Sequence, residues 1–357
     1  MAETDRKIRV LSFTRTGTRL NERICGVLRS RGKECAGYTV KKYAGGNLSP
    51  LPGDIRVFAG EDWGVYDLIF IGAAGIAVRY IAPWIKDKFT DPAVLVMDEK
   101  GTYVIPLLSG HVGGAVRLAR ELASETGAEA VLTTATDVQG KFAVDVFAKK
   151  SGLCLTDRKE ARAVSAAVLE GERIAFCREY RECQITGEIP REIHLCETWK
   201  EAASFPHRIL VSDRSGLAEE GTLLLRPKNV VAGIGCRRGI SEEVLESGLR
   251  AVLAEHGLVM EQVQALASID LKKDERALLA LADKYRIPFN VYPAEELAKV
   301  REVTSRSEFV EQTAGVDNVC ERAALTCGRG GKLIQGKRIG ESMTSALVRL
   351  PVTLDFR

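Results

Sequence analysis

The stretch Asp67-Leu-Ile-Phe-Ile-Gly-Ala-Ala-Gly75 decides the fold class that we predict for this sequence. A short apolar run closed by a glycine turn is typical of a buried strand in a parallel sheet. The residues that follow, 76–86, have the spacing of a helix that Pro83 interrupts. A strand, a turn and a helix in this order form the repeating unit of an α/β protein.

The same alternation extends over residues 1–138. We predict strands at 7–13, 67–72, 93–97, 103–105 and 130–133, helices at 20–32, 76–86 and 115–126, and a loop at 43–54. This order of elements indicates an N-terminal α/β domain with a doubly wound, mainly parallel sheet.

Two further domains complete the predicted multi-domain α/β organisation. Residues 139–228 are less regular and indicate a small α+β middle domain, with a helix at 158–170 and short strands at 174–176, 193–195, 208–211 and 222–225. Residues 229–357 return to the alternation of a C-terminal α/β domain. Its first segment, 229–239, is predicted as a buried strand that enters a glycine turn. We place its other strands at 266–269, 288–292 and 345–350 and its helices at 241–253, 273–285, 307–313 and 318–325.

Length and composition exclude several classes of protein. With 357 residues the chain has room for two or three domains of roughly 100–200 residues each. Its net charge of +3, from 51 basic and 48 acidic residues, gives no reason to expect a nucleic-acid partner. The longest apolar run, at 68–78, is too short to cross a membrane, and the first seven residues lack the apolar core of a secretory signal. We therefore expect a cytoplasmic protein without a membrane segment.

Nine cysteines are scattered along the sequence, and none forms a Cys-x-x-Cys pair. An odd, dispersed set of this kind predicts neither a disulfide framework nor a zinc site. Free thiols suit a reducing cytoplasm, and most of these cysteines are expected to be small core residues.

The stretch Leu107-Leu-Ser-Gly-His-Val-Gly-Gly-Ala115 is the strongest candidate for chemistry. It places Ser109 and His111 among Gly110, Gly113 and Gly114, between a predicted strand and a predicted helix. Glycines let the backbone approach a ligand, and histidine transfers protons near neutral pH. A tight turn with a polar helix cap is the plainer interpretation of the same residues.

Asp98 and Glu99 follow the strand at 93–97 and form a predicted turn. Because that strand is expected to be parallel, we expect the two carboxylates to face the same crevice as Ser109 and His111. The alternative is that they only shape the turn.

Two glycine turns follow predicted strands, one with Gly72 and Gly75 and one running from Gly233 and Gly235 to Gly239. Neither fits the dinucleotide fingerprint or a phosphate-binding loop. Helix starts at such turns can nevertheless bind anions, and Arg79, Arg237 and Arg238 are placed to pair with carboxylates or phosphates. Close strand–helix packing and solvated arginines are the alternatives.

The segment Ile269-Asp-Leu-Lys-Lys-Asp-Glu-Arg276 also gathers charge near a strand end, although Asp274 and Glu275 are ordinary first-turn residues of a helix. We find no Ser-His-Asp triad at recognisable spacing and no metal triad. The residues alone therefore predict a protein that binds a small anionic ligand.

Several long segments resemble a known family. In the N-terminal region they are Gly75-Ile-Ala-Val-Arg-Tyr-Ile-Ala-Pro83, Asp87-Lys-Phe-Thr-Asp-Pro-Ala93, Asp98-Glu99, Leu107-Leu-Ser-Gly-His-Val-Gly-Gly114 and Thr133-Thr-Ala-Thr-Asp137. In the C-terminal region they are Gly233-Ile-Gly-Cys-Arg-Arg-Gly239, Ile269-Asp270 with Lys272 and Glu275, Ser307-Glu-Phe-Val310, and Gly315-Val-Asp-Asn-Val-Cys-Glu-Arg-Ala-Ala324, which contains Glu321. The series is similar to the CbiG family, the cobalt-precorrin-5A hydrolases of anaerobic cobalamin (vitamin B12) biosynthesis.

The resemblance implies a substrate and a reaction. The substrate would be cobalt-precorrin-5A, a ring-contracted cobalt tetrapyrrole whose ring A acetate forms a δ-lactone. Water would open the lactone, and a two-carbon fragment would leave as acetaldehyde to give cobalt-precorrin-5B. No separate cofactor is implied, because the cobalt arrives within the substrate.

Roles for individual residues follow from that chemistry. We expect His111 to act as general base and Ser109, with the N–H groups around Gly113 and Gly114, to stabilise the oxyanion. Asp98 or Glu99 would orient His111 or hold water. The predicted substrate-binding residues are Gly72, Gly75, Arg79, Gly110, Gly113, Gly114, Gly233, Gly235, Arg237, Arg238, Asp270, Lys272, Glu275 and Glu321, of which the arginines would pair with the substrate's carboxylates.

Other functions remain open at this level. A tetrapyrrole carrier or pathway scaffold without chemistry would share every anion-binding feature. A methyltransferase acting on the same substrate would need a cofactor pocket, against which the poor fit of both glycine turns to nucleotide patterns argues. A homodimer and transient contacts with other enzymes of the pathway are further expectations that the sequence leaves undecided.

Overall fold

Residues 6–88, 90–179, 183–213, 219–301 and 303–357 are described by the computed structural model of the chain. Phe89 and the side chain of Phe309, which belong to two of the motifs quoted above, lie outside the described residues. Residues 1–5, which belong to the segment considered as a secretory signal, lie outside them too. The chain divides into two compact units, residues 1–141 and residues 142–357.

The N-terminal unit is a seven-stranded sheet with helices between its strands. The strands are β1 (Lys7–Ser12), β2 (Cys35–Thr39), β3 (Leu48–Pro50), β4 (Tyr66–Ile71), β5 (Val94–Met97), β6 (Tyr103–Leu108) and β7 (Glu129–Ala130). The helices are α1 (Arg15–Ser30), α2 (Ile55–Gly60), α3 (Ala74–Ile81), α4 (Ala115–Thr126) and α5 (Ala135–Val138). The spatial order is β3-β2-β1-β4-β5-β6-β7, and β1 to β5 are parallel.

Helices cover both faces of this sheet, as the sequence predicts. Ile69 and Ile71 pack in one cluster with residues of α1 and α4, whereas Leu68 and Phe70 pack in another with residues of α2 and α3. Successive side chains of a strand point to opposite faces, so a strand covered on both faces must be apolar throughout. This explains the continuous apolar run of β4.

The direction of β6 was not predicted. β5 and β6 are antiparallel, with Met97 opposite Val104 and Val94 opposite Leu108. Only residues 98–102 connect them, which is too short for the crossover that a parallel pair requires. The loop after β6 therefore lies at the edge of the sheet opposite to the carboxyl ends of β1, β4 and β5.

Several predicted bounds of the N-terminal unit need correction. The predicted loop at 43–54 contains β3, which pairs in parallel with β2. The helix expected at 76–86 begins at Ala74 and ends at Ile81, where a 3-10 turn (Ala82–Trp84) replaces it at Pro83. The strand expected at 130–133 is shorter, since β7 covers only Glu129–Ala130.

The second unit begins with a five-stranded sheet that matches the predicted middle elements closely. Its strands are β8 (Leu153–Leu155), β9 (Ile174–Arg178), β11 (Ile193–Cys196), β12 (Arg208–Val211) and β13 (Thr222–Pro227). The short strand β10 (Gln184–Thr186) lies between β9 and β11 in the chain and is not part of this sheet. Its helices are α6 (Val144–Lys150), α7 (Arg158–Glu170) and α8 (Trp199–Ala202). The order is β11-β9-β12-β13-β8, with only β8 antiparallel to its neighbour.

A second five-stranded sheet follows in the order β16-β15-β14-β18-β17. Its strands are β14 (Val230–Cys236), β15 (Val263–Ile269), β16 (Phe289–Tyr292), β17 (Lys332–Ile339) and β18 (Met343–Arg349). Its helices are α9 (Glu242–Glu255), α10 (Arg276–Tyr285), α11 (Ala294–Leu297), α12 (Glu308–Ala314) and α13 (Val319–Cys327). β14, β15 and β16 are parallel, so their carboxyl ends lie at one edge. The predicted helix at 273–285 begins later, at Arg276, after a 3-10 turn.

The last described residues do not stay with the second sheet. β19 (Thr353–Asp355) pairs in parallel with β10, and Val352 and Leu354 are buried in the core of the middle region. The ring of Phe356 packs against Phe142 and Phe147 of the same core. Residues 352–357 thus pack with the middle region, although the predicted boundary at 228/229 assigns them to the C-terminal domain. The segment is too short for a periodic pattern that would have indicated this.

Candidate functional site

The predicted site residues of the N-terminal unit lie at two opposite edges of its sheet. Ser109 and His111 follow β6, whereas Gly72 follows β4 and Asp98 follows β5. Because β6 is antiparallel to β5, these two groups are separated by the length of the strands. At about 3.3 Å per residue, four residues of β5 already span about 13 Å.

The loop from Ser109 to Gly114 is held by its own backbone. The Ala115 N–H donates to the Ser109 carbonyl (3.2 Å), and the Val116 N–H donates to the Gly110 carbonyl (3.0 Å). The Gly114 N–H donates to the His111 carbonyl (3.1 Å) and is thereby occupied. The expectation that the Gly114 N–H stabilises an oxyanion is therefore wrong for this conformation. Within the described residues, the Gly113 N–H has no acceptor in the backbone.

Ser109 is the strained residue of the loop. Its φ of 55° lies in the left-handed region, which costs energy for a residue other than glycine. Its side chain is buried, and its hydroxyl oxygen has no hydrogen-bond partner among the described residues. Gly113 lies so close that an added Cβ would be 2.2 Å from the Ser109 Cβ. Both the strain and the unsatisfied buried hydroxyl cost stability, which keeps Ser109 as a candidate functional residue.

His111 is paired with a carboxylate that we did not single out from the sequence. Its Nε2 lies 2.9 Å from Oδ2 of Asp137 and 3.3 Å from Oγ1 of Thr136. The other carboxylate oxygen of Asp137 accepts a hydrogen bond from Arg120 (3.0 Å). The side chains of His111 and Asp137 are only 15% and 11% exposed, so the pair is largely shielded from water.

A topological signal for Asp137 was present in the sequence. The segment 133–137 follows β7, and β7 is the parallel neighbour of β6. Polar residues that follow two neighbouring parallel strands come together at one edge. We predict a strand at 130–133 and quote Thr133 to Asp137 for the family resemblance, but we do not connect that segment with the loop of Ser109 and His111.

Asp98 and Glu99 form hydrogen bonds at the opposite edge. The two carboxylate oxygens of Asp98 accept from the N–H groups of Lys100 (2.9 Å) and Tyr103 (2.6 Å) and close the turn between β5 and β6. Glu99 accepts from the hydroxyl of Thr14 (2.6 Å). Neither residue can orient His111, so that prediction is wrong, and the turn-forming alternative describes Asp98.

Gly72, Gly75 and Arg79 also belong to the edge away from His111. This edge includes the carboxyl ends of β1 and β4, where the strand order reverses and where open α/β sheets bind ligands. Arg79 is exposed, and its guanidinium donates to the Gly75 carbonyl (3.1 Å). These three residues can form an anion site with one another, but not with His111 in this unit.

In the C-terminal glycine turn, the glycines are closely packed and the arginines are exposed. An added Cβ on Gly233 would lie 1.9 Å from the Cys320 carbonyl oxygen, and one on Gly235 would lie 2.7 Å from the Thr344 hydroxyl. Both glycines therefore serve the close contact of β14 with its neighbours, which was the alternative to ligand binding. Arg237 and Arg238 lie beyond the strand and are exposed.

The carboxyl ends of β14 and β15 do bring their charged segments together. Glu275 is buried and accepts from the N–H of Gly239 (3.1 Å), while Lys272 lies 3.7 Å from the same carboxylate. Glu275 thus anchors the turn that carries Arg237. Asp270, at the end of β15, is half-buried at the same edge.

Glu321 is fully buried and clamps two segments of the C-terminal sheet region. Its carboxylate accepts from the N–H (2.6 Å) and hydroxyl (2.7 Å) of Thr304 and from the N–H of Lys337 (2.7 Å). Burial acts to raise the pKa of Glu321, but these hydrogen bonds outweigh it and leave the pKa below its usual value. The predicted contact of Glu321 with substrate does not fit a carboxylate that is fully buried and already accepts three hydrogen bonds.

One group of metal-ligating side chains comes together in the part of the chain that the structure describes: His194, Cys196 and Glu201. Both ring nitrogens of His194 already have protein partners: Nδ1 lies 2.7 Å from Nη2 of Arg173, and Nε2 lies 3.2 Å from Oε1 of Glu201. Burial, together with the nearby Glu201, raises the pKa of the Cys196 thiol to about 11. All nine cysteines of the chain are free thiols.

The helices of the described residues were also considered as membrane spans. None of them is both long and apolar enough to cross a membrane.

Family models match the chain in three successive segments. They are described as the N-terminal region of cobalamin synthesis G, the cobalamin biosynthesis central region and the C-terminus of cobalamin synthesis G. The matched residues are 58–137, 142–227 and 230–348, in that order.

Individual relatives match over most of their length. A protein from Priestia megaterium named cobalt-precorrin-5A hydrolase is 36% identical over 316 residues, which are 85% of this chain and 84% of that protein. A protein of the same name from Salmonella typhimurium is 37% identical over 316 residues, covering 86% and 87%. Among solved structures, a cobalamin biosynthesis protein G homologue from Sulfolobus solfataricus aligns with 96% of this chain and 97% of its own, at 24% identity and a TM-score of 0.42.

Proposed function

This chain belongs to the CbiG family of cobalamin biosynthesis, and on that premise we propose that it is a cobalt-precorrin-5A hydrolase. The observation that carries the proposal is the continuous similarity to proteins of that name across most of both chains. The substrate is a small-molecule cobalt precorrin, and its cobalt is part of the substrate.

The reaction has two steps that need a proton acceptor. In the first, water adds to the lactone carbonyl and the ring C–O bond breaks, which leaves a carboxylate and a secondary alcohol. In the second, the alcohol loses its proton, the C–C bond to the macrocycle breaks, and acetaldehyde leaves. The electron pair of that bond passes to the conjugated ring. Neither step consumes an oxidant, a reductant or a second substrate other than water, so we propose that no added cofactor is required.

His111 is the proposed base. The carboxylate of Asp137 lies 2.9 Å from its Nε2 and would stabilise the imidazolium that forms when the ring takes a proton. The Gly113 N–H and the unsatisfied hydroxyl of Ser109 supply the proposed donors for the oxyanion. Because the Ser109 hydroxyl is buried, its use requires the loop to shift when the substrate binds.

Arg237 and Arg238 are the proposed contacts for the acetate and propionate groups of the macrocycle. They are exposed beside a turn that Glu275 holds in place, and guanidinium groups bind carboxylates strongly. Gly72, Gly75 and Arg79 are proposed to bind a carboxylate at their own edge, away from the reacting lactone.

A single-turnover experiment tests this function. The protein is incubated without oxygen with the lactone substrate, and released aldehyde is trapped as a hydrazone. We expect His111→Asn to keep corrinoid affinity and to lose about 10²–10⁴-fold in rate, the usual contribution of a general base. His256→Asn is the matched control, because His256 bonds Gln335 in the other unit.

The outcomes separate the candidate functions. Tight corrinoid binding by the parent without aldehyde would identify a carrier, and methyl transfer would identify a different enzyme. Aldehyde release by His111→Asn within about threefold of the parent would exclude His111 as the base.

A further inference from the structure

We infer that Arg6 binds the carboxylate that lactone opening sets free, beside the loop from Ser109 to Gly114. The inference rests on the proposed function, because it requires the reacting lactone to lie at this loop. It adds a residue that the sequence did not single out, since one arginine ahead of a strand forms no motif. A cation at the reacting group complements the proposed base and oxyanion donors.

The order of the strands brings Arg6 to the edge of the sheet that carries the loop. Arg6 immediately precedes β1, whose amino end lies beside the amino end of β4. β6 is antiparallel to β5, so its carboxyl end and the loop that follows lie at the same edge. Ala115, at the start of α4, then packs in one cluster with Ile8 of β1 and Ile69 of β4. The loop before α4 is thereby held near the start of β1.

The guanidinium of Arg6 reaches the loop itself. Its Nη1 lies 3.5 Å from the carbonyl oxygen of Gly113, the residue whose N–H is a proposed oxyanion donor. The nitrogen and oxygen of one residue are at most about 3.6 Å apart, so Nη1 lies within about 7 Å of the Gly113 nitrogen. A carboxylate can bridge two donors up to about 8 Å apart, with a hydrogen bond of about 2.9 Å at each oxygen. Arg6 and the Gly113 N–H can therefore bind the two oxygens of one carboxylate.

The side chain of Arg6 is held at this edge and still has donors available. Its Nη1 also lies 3.4 Å from Oδ1 of Asp67, an oxygen that accepts the N–H of Ala93 at 2.8 Å. Both contacts of Arg6 use Nη1, and its Nε and Nη2 have no partner among the described residues. The side chain is 25% exposed, so a ligand can reach these nitrogens. Both contacts are also near the upper limit of hydrogen-bond length, so a carboxylate can replace either of them.

The charge that develops in the reaction gives Arg6 a role different from that of Arg237 and Arg238. The lactone group is neutral. Water adds to its carbonyl carbon and gives a proton to the base, which places a negative charge on the carbonyl oxygen. The ring C–O bond then breaks, the former ring oxygen takes up the proton as an alcohol, and the acid that forms ionises to the ring A carboxylate. A permanently charged guanidinium at this position therefore binds the intermediate and the product more strongly than the lactone.

The experiment compares Arg6→Met, which removes the charge, with Arg6→Lys, which keeps the charge on a single nitrogen. Equilibrium titration without oxygen gives the affinity for cobalt-precorrin-5B, which carries the free acetate. The affinity for the lactone comes from the concentration dependence of its disappearance in single turnovers, or from titration where no turnover occurs. Arg23→Met is the matched control, because Arg23 is exposed and donates to the Thr126 carbonyl (3.0 Å) at the other end of α4.

We expect Arg6→Met to weaken the binding of cobalt-precorrin-5B by about 10–100-fold and to slow the disappearance of the lactone by a similar factor. The affinity of this variant for the lactone should stay within about threefold of the parent, because the lactone lacks the charge that Arg6 binds. Arg6→Lys should lose less, since it keeps the charge without the planar fork. Arg23→Met should match the parent in all three measurements.

Two results would overturn the inference. Equal weakening of lactone and product binding would show that Arg6 only supports the fold, and unchanged product binding would place the free acetate elsewhere. If Arg6→Met does not fold, the same pair of affinities in Arg6→Lys decides. If the parent binds both corrinoids but consumes no lactone, the proposed function fails, and the ratio of the two affinities in Arg6→Met and in the parent still decides whether Arg6 binds the acetate. A parent that binds neither corrinoid would refute both.

Discussion

Gly113 offers a way to displace the catalytic loop by a known amount. An added Cβ at this position would lie 2.2 Å from the Ser109 Cβ and 2.7 Å from the Ser109 carbonyl oxygen, where ordinary contacts begin at about 3.4 Å. Gly113→Ala must therefore push Ser109 and the residues beside it by about 1 Å. A misplacement of that size can cost about 10²-fold in rate, and overpacking typically costs about 1–3 kcal/mol of stability.

Gly110→Ala is the matched control in the same loop. Its added Cβ would lie 3.3 Å from Val116 Cγ2 and 3.6 Å from Thr134 Oγ1, so little has to move. We expect Gly113→Ala to lower single-turnover aldehyde release by about 10²-fold and the thermal midpoint of the N-terminal unit by several degrees, with Gly110→Ala close to the parent in both. Equal turnover in the two variants would show that the position of Ser109 does not matter, and the loop would lose its proposed place in the reaction.

Three further expectations concern the C-terminal region and the cofactor. The double replacement of Arg237 and Arg238 by Ala should weaken corrinoid binding by about tenfold or more per productive contact. It should slow the chemical step less, because these contacts exist before and during the reaction. Unchanged corrinoid affinity in calorimetry would place the turn away from the substrate. Glu321→Gln should lower the free energy of unfolding most above about pH 4.3. The lowered pKa of Glu321 in the folded state means that its carboxylate stabilises the fold at that pH and above, and that this contribution is lost as the pH falls through the folded-state pKa. If the difference in urea midpoint between the parent and Glu321→Gln grew toward acid pH, this account would be contradicted. Turnover should survive prior treatment with a chelator and need no nucleotide; a strict dependence on added zinc or nicotinamide would refute the cofactor-free reaction.

The parts of the fold that follow from periodicity were predicted well. Residues 68–71 of β4 and all of β5 are apolar because helices cover both of their faces. The predicted bounds of α7 agree with the structure, in which Asp157 caps the helix and Gly171 ends it in the left-handed region. Short segments were missed for the same physical reason. Three residues, as in β3 or β19, hold no repeat from which a period can be read.

The candidate site was predicted only in part, because its geometry depends on strand direction. His111 was found from its own sequence context, but its partner Asp137 comes from a segment 26 residues away and meets it only through the pairing of β6 with β7. Asp98 does lie at the carboxyl end of β5, but the loop with Ser109 and His111 lies at the opposite edge, because β6 is antiparallel to β5. The five residues between these strands already argued against a parallel pair.

The return of residues 352–357 to the middle region has a consequence for the order in which the chain is synthesised. Residues 1–141 have a complete core of their own and can fold while translation continues. The sheet of residues 153–227 lacks part of its core until later, since Val352 and Leu354 belong to that core and the ring of Phe356 lies 4.6 Å from that of Phe147. Its hydrophobic surface must wait, exposed to chaperones or to other nascent chains, until about 125 further residues have left the ribosome. A stop codon placed just before Val352 would therefore remove part of the core of a region that the ribosome had made long before.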